Sequence, residues 1–180
     1  HYIDAAVQAG AAAIIAEKMP TACAEHVLYL QVTDSLRALG QLAGYRRRLL
    51  TGGITVAAIT GSSGKTTVKE LVAAIFSEAL HATRTGIDPL LKTRGNFNNL
   101  VGLPLSLLQI EAGHRLAVLE MGMNAPGEIA RLTDIADPDI GCINNVHPAH
   151  LLGLGSIDGV AAAKGELFAG MRADAIRVVN

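Results

Sequence analysis

Seven consecutive residues form a candidate phosphate-binding loop: Gly61, Ser62, Ser63, Gly64, Lys65, Thr66 and Thr67. Glycines let successive backbone N–H groups approach phosphate oxygens, and the start of a helix adds partial positive charge. The ammonium group of Lys65 would meet the terminal phosphates of a nucleoside triphosphate, and the hydroxyl group of Thr66 could ligate Mg²⁺. An apolar stretch precedes the loop and an amphipathic one follows it, which predicts a strand, the loop and then a helix.

The loop departs from the usual P-loop pattern G-x-x-x-x-G-K-[ST]. That pattern requires glycine at position 59, where this sequence has Ile59, so Gly61 would lead a shortened loop. A Rossmann dinucleotide site is not favoured, because the sequence lacks G-x-G-x-x-G. A kinase or GTPase stays open as another P-loop class, although the guanine-reading run Asn-Lys-x-Asp is absent.

Further polar residues are expected at or beyond the ends of strands. Glu120 ends the apolar run at residues 116–119, and Asn96, Asn98 and Asn99 crowd one loop. Ligands of open α/β sheets gather beyond the carboxyl ends of the strands, so Glu120 could hold a metal near the phosphates. An amide oxygen can also ligate Mg²⁺. On local evidence alone, however, a strand-end glutamate is more often a surface group, and asparagine clusters usually form turns.

Three basic side chains follow the apolar run at residues 140–144. His147 and His150 lie in a loop with no cysteine nearby, which argues against a structural zinc site, and a lone histidine is more often a structural hydrogen-bonding group. Lys164 falls in the middle of a predicted helix. On local evidence alone it is expected to be a surface lysine whose stem lies along the helix.

Strand-length apolar segments alternate with helical periodicity along the chain. Strands are predicted at residues 11–16, 28–32, 54–59, 81–85, 116–121, 140–144 and 175–179. Helices are predicted at residues 4–9, 34–48, 68–75, 102–109, 128–136 and 156–169, the last capped by Ser156. The alternation predicts an α/β fold with a mostly parallel sheet. Gly52 and Gly53 form a candidate linker, and the arginines at 46–48 are expected to be a solvated last helical turn.

Composition excludes several classes of protein. Half of the 180 residues are hydrophobic and 17% are charged, which excludes intrinsic disorder. A net charge of −1 gives no electrostatic case for binding nucleic acid or an anionic membrane, and no apolar run approaches the length of a membrane span. The two cysteines, Cys23 and Cys142, are expected to be buried in a protein of a reducing compartment. Because the sequence begins with His1 rather than Met, it is expected to be a piece of a longer protein.

Five motifs, in their order and spacing, resemble the Mur ligases, a family of ATP-dependent amide-forming enzymes. They are GSSGKTT at 61–67, GNFNNLVGLP at 95–104, LEMGMN at 119–124, NVHPAHL at 145–151 and AKGE at 163–166. The details are most similar to the MurF type, because the Asn-x-Asn-Asn segment and Glu-Met-Gly-Met-Asn followed by PGEI favour that type. The MurE type, which adds the third residue of the peptide stem, more often carries Gly-Thr-Asn-Gly in the loop.

The resemblance implies a protein of three domains. Residues 1–51 are similar to the C-terminal part of the domain that binds the UDP-sugar substrate. Residues 52–180 are similar to the first part of the central, P-loop-type ATP-binding domain, and the C-terminal domain is absent from this sequence. We therefore expect that the 180-residue chain alone binds phosphate or nucleotide weakly and does not catalyse ligation.

The resemblance also implies roles for individual residues in an ADP-forming ligation through an acyl phosphate. Lys65 would neutralise the γ-phosphate as charge moves during transfer. Thr66 and Asn96 would hold a first Mg²⁺, and Glu120 and His150 a second. Lys164 matches the lysine that this family carries in carbamylated form. His147 matches no functional position and is expected to be structural.

The MurF type adds D-Ala-D-Ala to UDP-N-acetylmuramoyl-tripeptide in the synthesis of peptidoglycan precursors. The resemblance therefore implies ATP and Mg²⁺ as cofactors, these two molecules as substrates, and a monomer in the cytoplasm. Three alternatives stay open: a MurE-type ligase, folylpolyglutamate synthetase, and a truncated chain that folds and binds phosphate without turnover.

Overall fold

The computed structural model describes four stretches of the chain: residues 2–50, 53–80, 88–149 and 151–180. The first stretch begins with a short helix and a parallel two-stranded sheet, made of α1 (Tyr2–Gln8), β1 (Ala13–Ala16) and β2 (Leu28–Gln31). Helix α2 (Ser35–Leu49) follows. The carboxylate of Asp34 caps α2 by accepting a hydrogen bond from the N–H of Arg37 at 2.8 Å.

The rest of the described chain forms a second sheet of five strands and the helices that lie between them in sequence. Its strands are β3 (Thr55–Thr60), β4 (Leu90–Lys92), β5 (Leu116–Glu120), β6 (Ile140–Ile143) and β7 (Ile176–Val179). They lie in the order β4-β5-β3-β6-β7, and every neighbouring pair is parallel. The helices between the strands are α3 (Lys65–Leu80), α4 (Gly102–Leu107), α5 (Glu128–Ala136), α6 (Leu151–Leu154) and α7 (Ile157–Gly170).

Helices cover the sheet on both faces. Side chains alternate along a strand, so Val56 and Ala58 of β3 pack in the cluster that contains α4, α5 and α7, whereas Ala57 and Ile59 pack with Ala73 of α3. A strand that is buried on both faces needs apolar residues at consecutive positions. This explains why β3 and β5 form unbroken apolar runs in the sequence.

The topology brings three strand ends together. The central strand β3 pairs with β5 on one side and β6 on the other, all in the same direction. The chain leaves β3 through α3 toward β4 and leaves β6 through α7 toward β7, on opposite sides of the sheet. Ligands of open parallel sheets bind where neighbouring connections diverge in this way, beyond the carboxyl ends of the strands.

The predicted α/β fold with parallel sheets is confirmed. Ser156 caps α7 as predicted, since its hydroxyl oxygen accepts a hydrogen bond from the N–H of Gly159 at 3.1 Å. The strand predicted at residues 81–85 lies outside the described residues. Strand β4 was not predicted, because its three residues are too few to show a period and tertiary pairing with β5 creates it.

The prediction of a solvated last turn at residues 46–48 is wrong for Arg46 and Arg47, although Arg48 is exposed. Arg47 is only 2% exposed, and its Nη2 donates to Oδ2 of Asp139 at 2.9 Å and to the carbonyl oxygen of Asp137 at 3.3 Å. The guanidinium group of Arg46 donates to the carbonyl oxygen of Ile110. The physical reason is that α2 packs against α4 and α5, so its last turn meets protein rather than water.

The division into domains after residue 51 stays a prediction. Gly52, one of the two linker glycines, lies outside the described residues. Helix α2 precedes that point in the sequence, yet Ala43 of α2 belongs to the same apolar cluster as α4, α5 and α7. A boundary at residue 51 would therefore place α2 in one domain and much of its packing surface in the next.

The cysteines depart in part from expectation. Both are free, but Cys23 is exposed rather than buried. Cys142 of β6 is half-buried, and burial raises the pKa of its thiol. Within the four described stretches, no helix is both long and apolar enough to cross a membrane.

Candidate functional site

The candidate phosphate-binding loop joins the end of β3 to the start of α3. Gly64 has a φ angle of +71°, in the left-handed region that favours glycine. A Cβ atom at Gly64 would lie 3.0 Å from Nδ2 of Asn144, and one at Gly61 would lie 3.1 Å from Cβ of Asn144. The two glycines therefore let the loop bend closely against the segment that follows β6.

Four consecutive backbone N–H groups at the start of α3 have no acceptor among the described residues. They belong to residues 64–67, and the first N–H with a helical partner is that of Val68, which donates to the carbonyl oxygen of Gly64. Unpaired N–H groups at a helix start carry partial positive charge and suit an anion. The geometry thus agrees with the binding of a phosphate group at this helix start.

Lys65 lies over the loop that it was predicted to serve. Its Nζ donates a hydrogen bond to the carbonyl oxygen of Gly61 at 2.9 Å, and its side chain is half-buried. The ammonium group therefore lies close to the free N–H groups of the helix start. A bound phosphate would provide a stronger, charged acceptor for it.

Glu120 is buried at the carboxyl end of β5, with 3% of its surface exposed. Its Oε2 accepts a hydrogen bond from the hydroxyl group of Thr66 at 2.9 Å, and its Oε1 accepts one from Nδ2 of Asn98 at 2.9 Å. A carboxylate in this position is not a plain surface group. It joins the phosphate-binding loop to the asparagine-rich segment.

Further hydrogen bonds fix the backbone of Glu120 through Thr93. The backbone N–H of Glu120 donates to Oγ1 of Thr93 at 2.9 Å, and Nζ of Lys69 donates to the carbonyl oxygen of Thr93 at 2.9 Å. Lys69 is 1% exposed and also lies 3.1 Å from a carboxylate oxygen of Glu70. Residues of α3, β5 and the segment after β4 thereby fix the orientation of the buried carboxylate.

The structure places Asn98, rather than Asn96, beside Glu120. Asn96 is exposed, and within the described part of the chain its side chain makes no hydrogen bond. Asn98 is half-buried and lies close to Gly122. A Cβ atom added at Gly122 would be 3.0 Å from Oδ1 of Asn98. The role predicted for Asn96 stays a prediction. The third asparagine, Asn99, precedes α4, and its Oδ1 accepts hydrogen bonds from the N–H groups of Val101 and Gly102.

Lys164 is buried in α7, with 2% of its surface exposed. Burial, helped by the positive charge of Lys65, lowers the pKa of its ammonium group to about 8. The electrostatic effect of Lys65 means that the two lysines share one end of the sheet. Local sequence evidence predicted a surface lysine, and the structure shows instead a buried amine next to the candidate phosphate site.

We expect Lys164→Met to stabilise the unmodified, metal-free protein at pH 7. The ordinary pKa of the amine is 10.5 and the folded value is about 8, so burial of the charge costs stability below pH 8. The difference of about 2.5 between the two pKa values corresponds to roughly 3 kcal/mol, and we expect a gain of about 1–3 kcal/mol in the free energy of unfolding. The gain should shrink as the pH rises from 8 to 10.5, because the unfolded lysine then loses its proton too.

Urea unfolding at pH 7 and pH 10 measures this effect. The exposed lysine Lys18 provides the matched control, since Lys18→Met removes the same charge without a burial cost. Equal stability of the Lys164→Met variant and wild type at pH 7, or a gain that grows with pH, would contradict the prediction.

The structure describes His147 but not His150, the two histidines of the segment after β6. His150 lies outside the described residues, so its predicted metal role stays a prediction. His147 contacts the loop through its backbone, since its N–H and its carbonyl oxygen both bond to the hydroxyl group of Ser62 at 2.9 Å. In the stretches that the structure describes, no three His, Cys, Asp or Glu side chains come together as a metal site.

A cleft of about 460 Å³ opens beside the loop. Its lining includes Lys65 from the start of α3, Asn98, and Gly122 and Asn124 from the segment after β5. Glu128 of α5 also lines it, and its carboxylate accepts a hydrogen bond from the N–H of Asn124 at 2.6 Å. The cleft gives a small molecule access to the same end of the sheet.

The sequence analysis missed the residues that support this site. Asn144 and Asn145 follow β6 directly and contact the loop, and the rule that singled out Glu120 at a strand end could have found them. Thr93 and Lys69 carried no such signal. Glu166 belongs to the AKGE motif, and its carboxylate accepts hydrogen bonds from the N–H groups of Gly127 and Ala130 at the start of α5.

Comparisons with known proteins agree with this geometry. The family described as Mur ligase middle domain matches residues 59–180. The UDP-N-acetylmuramoyl-tripeptide–D-alanyl-D-alanine ligase of Haemophilus influenzae is 41% identical over 99% of this chain, which covers 37% of that protein. The ligase of the same name from Bacillus subtilis is 38% identical over 98% of this chain, which covers 36% of that protein. The chain thus spans a little over a third of the length of these relatives.

Solved structures show the same fold. The crystal structure of MurF from Acinetobacter baumannii superposes with a TM-score of 0.87 at 36% identity, covering 99% of this chain and 37% of the other. The MurF ligase from Thermotoga maritima, solved in complex with ADP, superposes with a TM-score of 0.82 at 38% identity, covering 99% of this chain and 39% of the other.

Proposed function

Because the chain belongs to the Mur ligase family, we propose that the full-length protein is an ATP-dependent, ADP-forming ligase of peptidoglycan precursor synthesis. Its proposed reaction joins D-Ala-D-Ala to UDP-N-acetylmuramoyl-tripeptide. The names of its relatives and the ADP complex of a structural neighbour support this choice. The MurE-type and folylpolyglutamate synthetase alternatives gain no support from the relatives described above.

One structural observation carries the proposal. The unpaired N–H groups of residues 64–67, the ammonium group of Lys65, the buried carboxylate of Glu120 and the buried amine of Lys164 lie at the same end of the sheet. A phosphate loop alone would suit many nucleotide enzymes. A buried carboxylate that touches the loop and a second, pKa-lowered lysine suit a reaction in which a phosphoryl group moves to a carboxylate.

The proposed chemistry has two steps. The terminal carboxylate oxygen of the tripeptide substrate forms a bond to the γ-phosphorus of ATP, and the bond to the ADP oxygen breaks, giving an acyl phosphate and ADP. The amine of D-Ala-D-Ala then bonds to the acyl carbon, phosphate leaves, and the amine loses a proton. Lys65 and the N–H groups of residues 64–67 would bind the phosphate oxygens and stabilise the charge that moves in the first step.

We propose that Mg²⁺ is bound at this end of the sheet. The donor set fits, because Mg²⁺ prefers oxygen ligands and the carboxylate of Glu120 lies against the hydroxyl group of Thr66. When bound, the ion would offset the negative charge of the phosphates. As the resemblance implies, Thr66 and Asn96 would hold a first ion, and Glu120 and His150 a second.

We propose further that Lys164 is carbamylated in the active enzyme. A neutral amine forms an N–C bond to the carbon of CO₂ and releases a proton, which leaves a carbamate anion. The pKa of about 8 supports this proposal, because an appreciable share of the amine is then neutral near physiological pH. The carbamate would place negative charge beside Lys65 and relieve the repulsion between the two ammonium groups.

We expect Lys164→Ala to lower kcat of the full-length protein by a factor of about 10 or more, with partial rescue by acetate or formate. A short carboxylic acid can occupy the space of the missing carbamate. Lys18→Ala is the matched control, since Lys18 is exposed and far from the loop in sequence. Absence of rescue, together with an unmodified Lys164 in a substrate-bound complex, would contradict carbamylation.

We propose that the full-length protein acts as a monomer in the cytoplasm. ATP and nucleotide-activated precursors are molecules of the cytoplasm, which supports a cytoplasmic location. The described residues contain no membrane-spanning helix. The monomeric state that the resemblance implies stays a prediction, and size-exclusion chromatography with light scattering tests it.

An ADP-release assay tests the proposed function. The full-length protein receives ATP, Mg²⁺ and UDP-N-acetylmuramoyl-tripeptide, with or without D-Ala-D-Ala. We expect ADP release to require the tripeptide precursor and amide formation to require D-Ala-D-Ala. The corresponding dipeptide precursor with a diamino acid, and a folate with glutamate, serve as matched substrate controls. Faster turnover with either control pair would overturn the assignment.

A further inference from the structure

The side chain of Asn145 is fully engaged with the phosphate-binding loop. Its Oδ1 accepts hydrogen bonds from the backbone N–H groups of Ser62 and Ser63, each at 3.0 Å. Its Nδ2 donates to the carbonyl oxygen of Ser63 at 3.0 Å. Asn144 adds one hydrogen bond of 2.9 Å to that same carbonyl oxygen. One amide side chain therefore binds three successive peptide groups of the loop.

These hydrogen bonds divide the N–H groups of the loop into two sets. Those of Ser62 and Ser63 are occupied by Asn145, whereas those of residues 64–67 have no acceptor within the described stretches. A phosphate group can therefore reach only the second set without displacing Asn145. The backbone of His147 adds to the restraint, because it bonds to the hydroxyl group of Ser62 from the same segment.

The close packing of the loop leaves it little freedom to shift. A Cβ atom at Gly61 would lie 3.1 Å from Cβ of Asn144 and 3.4 Å from the backbone nitrogen of Asn145. Lys65 also bonds to the carbonyl oxygen of Gly61, so the position of the lysine depends on that of the loop. The segment after β6 thus acts as a support for the loop.

We propose that Asn145 is a positioning residue for phosphate binding. It holds the peptide of Ser62 and Ser63 against the segment after β6, so that the N–H groups of residues 64–67 and the ammonium group of Lys65 face the phosphates. It does not itself touch them. The inference rests on the proposed function only in that the loop binds nucleotide phosphates.

Two measurements on the full-length protein test the role of Asn145. The first is the hydrogen exchange of the segment covering Ser62 and Ser63, without nucleotide. The second is the dissociation constant of MgADP. We expect Asn145→Ala to expose the N–H of Ser63 to exchange, because Oδ1 of Asn145 is its acceptor. The N–H of Ser62 should stay partly protected, since it also donates to the backbone carbonyl oxygen of Asn145 at 3.2 Å. MgADP binding should weaken about tenfold or more, because three side-chain hydrogen bonds to the loop are lost.

Two further variants separate positioning from a general loss of structure. Asn144→Ala removes a single hydrogen bond and is expected to weaken MgADP binding by less than about threefold. Asn145→Asp keeps an acceptor for both N–H groups, so exchange protection should return, while its negative charge should keep MgADP binding weak. The melting temperature of each variant shows whether the fold is retained.

The possible outcomes are distinct. Asn145→Ala that binds MgADP within about threefold of wild type would overturn the inference, and so would unprotected Ser62 and Ser63 amides in the wild type. A wild-type protein that shows no MgADP binding would overturn the proposed function instead. In that case the exchange measurement would still decide whether Asn145 holds the loop.

Discussion

Replacing Lys65 by alanine in the full-length protein is expected to lower kcat by a factor of at least about 10². The ammonium group lies at the helix start with the free N–H groups of residues 64–67, where the γ-phosphate would bind. Its charge matters most when negative charge moves during phosphoryl transfer. The fold should survive, because Lys65 is half-buried and its one hydrogen bond is to the carbonyl oxygen of Gly61.

Steady-state ADP release measures this effect, with the melting temperature as the check on folding. Lys18→Ala is the control, because Lys18 is an exposed lysine near the N-terminal sheet. Activity of Lys65→Ala within about threefold of wild type would exclude Lys65 from the phosphate site.

Glu120→Gln is the second substitution with a large expected effect, a loss of kcat on the order of 10². Glutamine keeps the size of the side chain but removes the charge that would hold Mg²⁺. It also replaces one carboxylate oxygen, an acceptor, with an NH₂ group, a donor. In the wild type both Thr66 and Asn98 donate to the carboxylate. The hydroxyl group of Thr66 can turn to accept from the new NH₂ group while Asn98 donates to the amide oxygen, so we expect the free energy of unfolding to change by less than about 1 kcal/mol.

The dependence of kcat on Mg²⁺ concentration distinguishes a metal role from a structural one. The variant should need a higher Mg²⁺ concentration for half-maximal activity, whereas the control Glu111→Gln, at an exposed position, should not. Because Asn98 acts on the same carboxylate, Glu120→Gln combined with Asn98→Ala should lose less than the product of the two single losses. An unchanged Mg²⁺ dependence would argue that Glu120 is structural.

Local patterns were enough to predict the parts of the site that depend on neighbouring residues in the sequence. The loop at residues 61–67, the strand that ends at Glu120 and the cap at Ser156 each have a signal within a few residues. These are also the features that the structure places at the expected ends of β3, β5 and α7. The alternation of apolar strand segments with helical periodicity likewise predicted the mostly parallel sheet.

Tertiary contacts decide the features that sequence patterns could not predict. Nothing local distinguishes Asn98 from Asn96, and only the approach of their loop to Gly122 and Glu120 places Asn98 inside the site. Arg47 looked like a solvated helix end, but the packing of α2 buries it beside Asp139. Local evidence likewise predicted that Lys164 is a surface lysine. The sequence of a single helix does not show which of its residues other elements will bury.

The central claim is that a phosphoryl group moves from ATP to a carboxylate at this end of the sheet. Measuring the transfer of ¹⁸O from the substrate carboxylate to the released phosphate tests it most directly. The full-length protein would receive UDP-N-acetylmuramoyl-tripeptide whose terminal carboxylate carries ¹⁸O, together with ATP, Mg²⁺ and D-Ala-D-Ala. An acyl phosphate leaves one substrate oxygen in the phosphate, so we expect one ¹⁸O atom in each phosphate released and one amide formed for each ADP. Phosphate that contains no ¹⁸O while amide forms would contradict the claim.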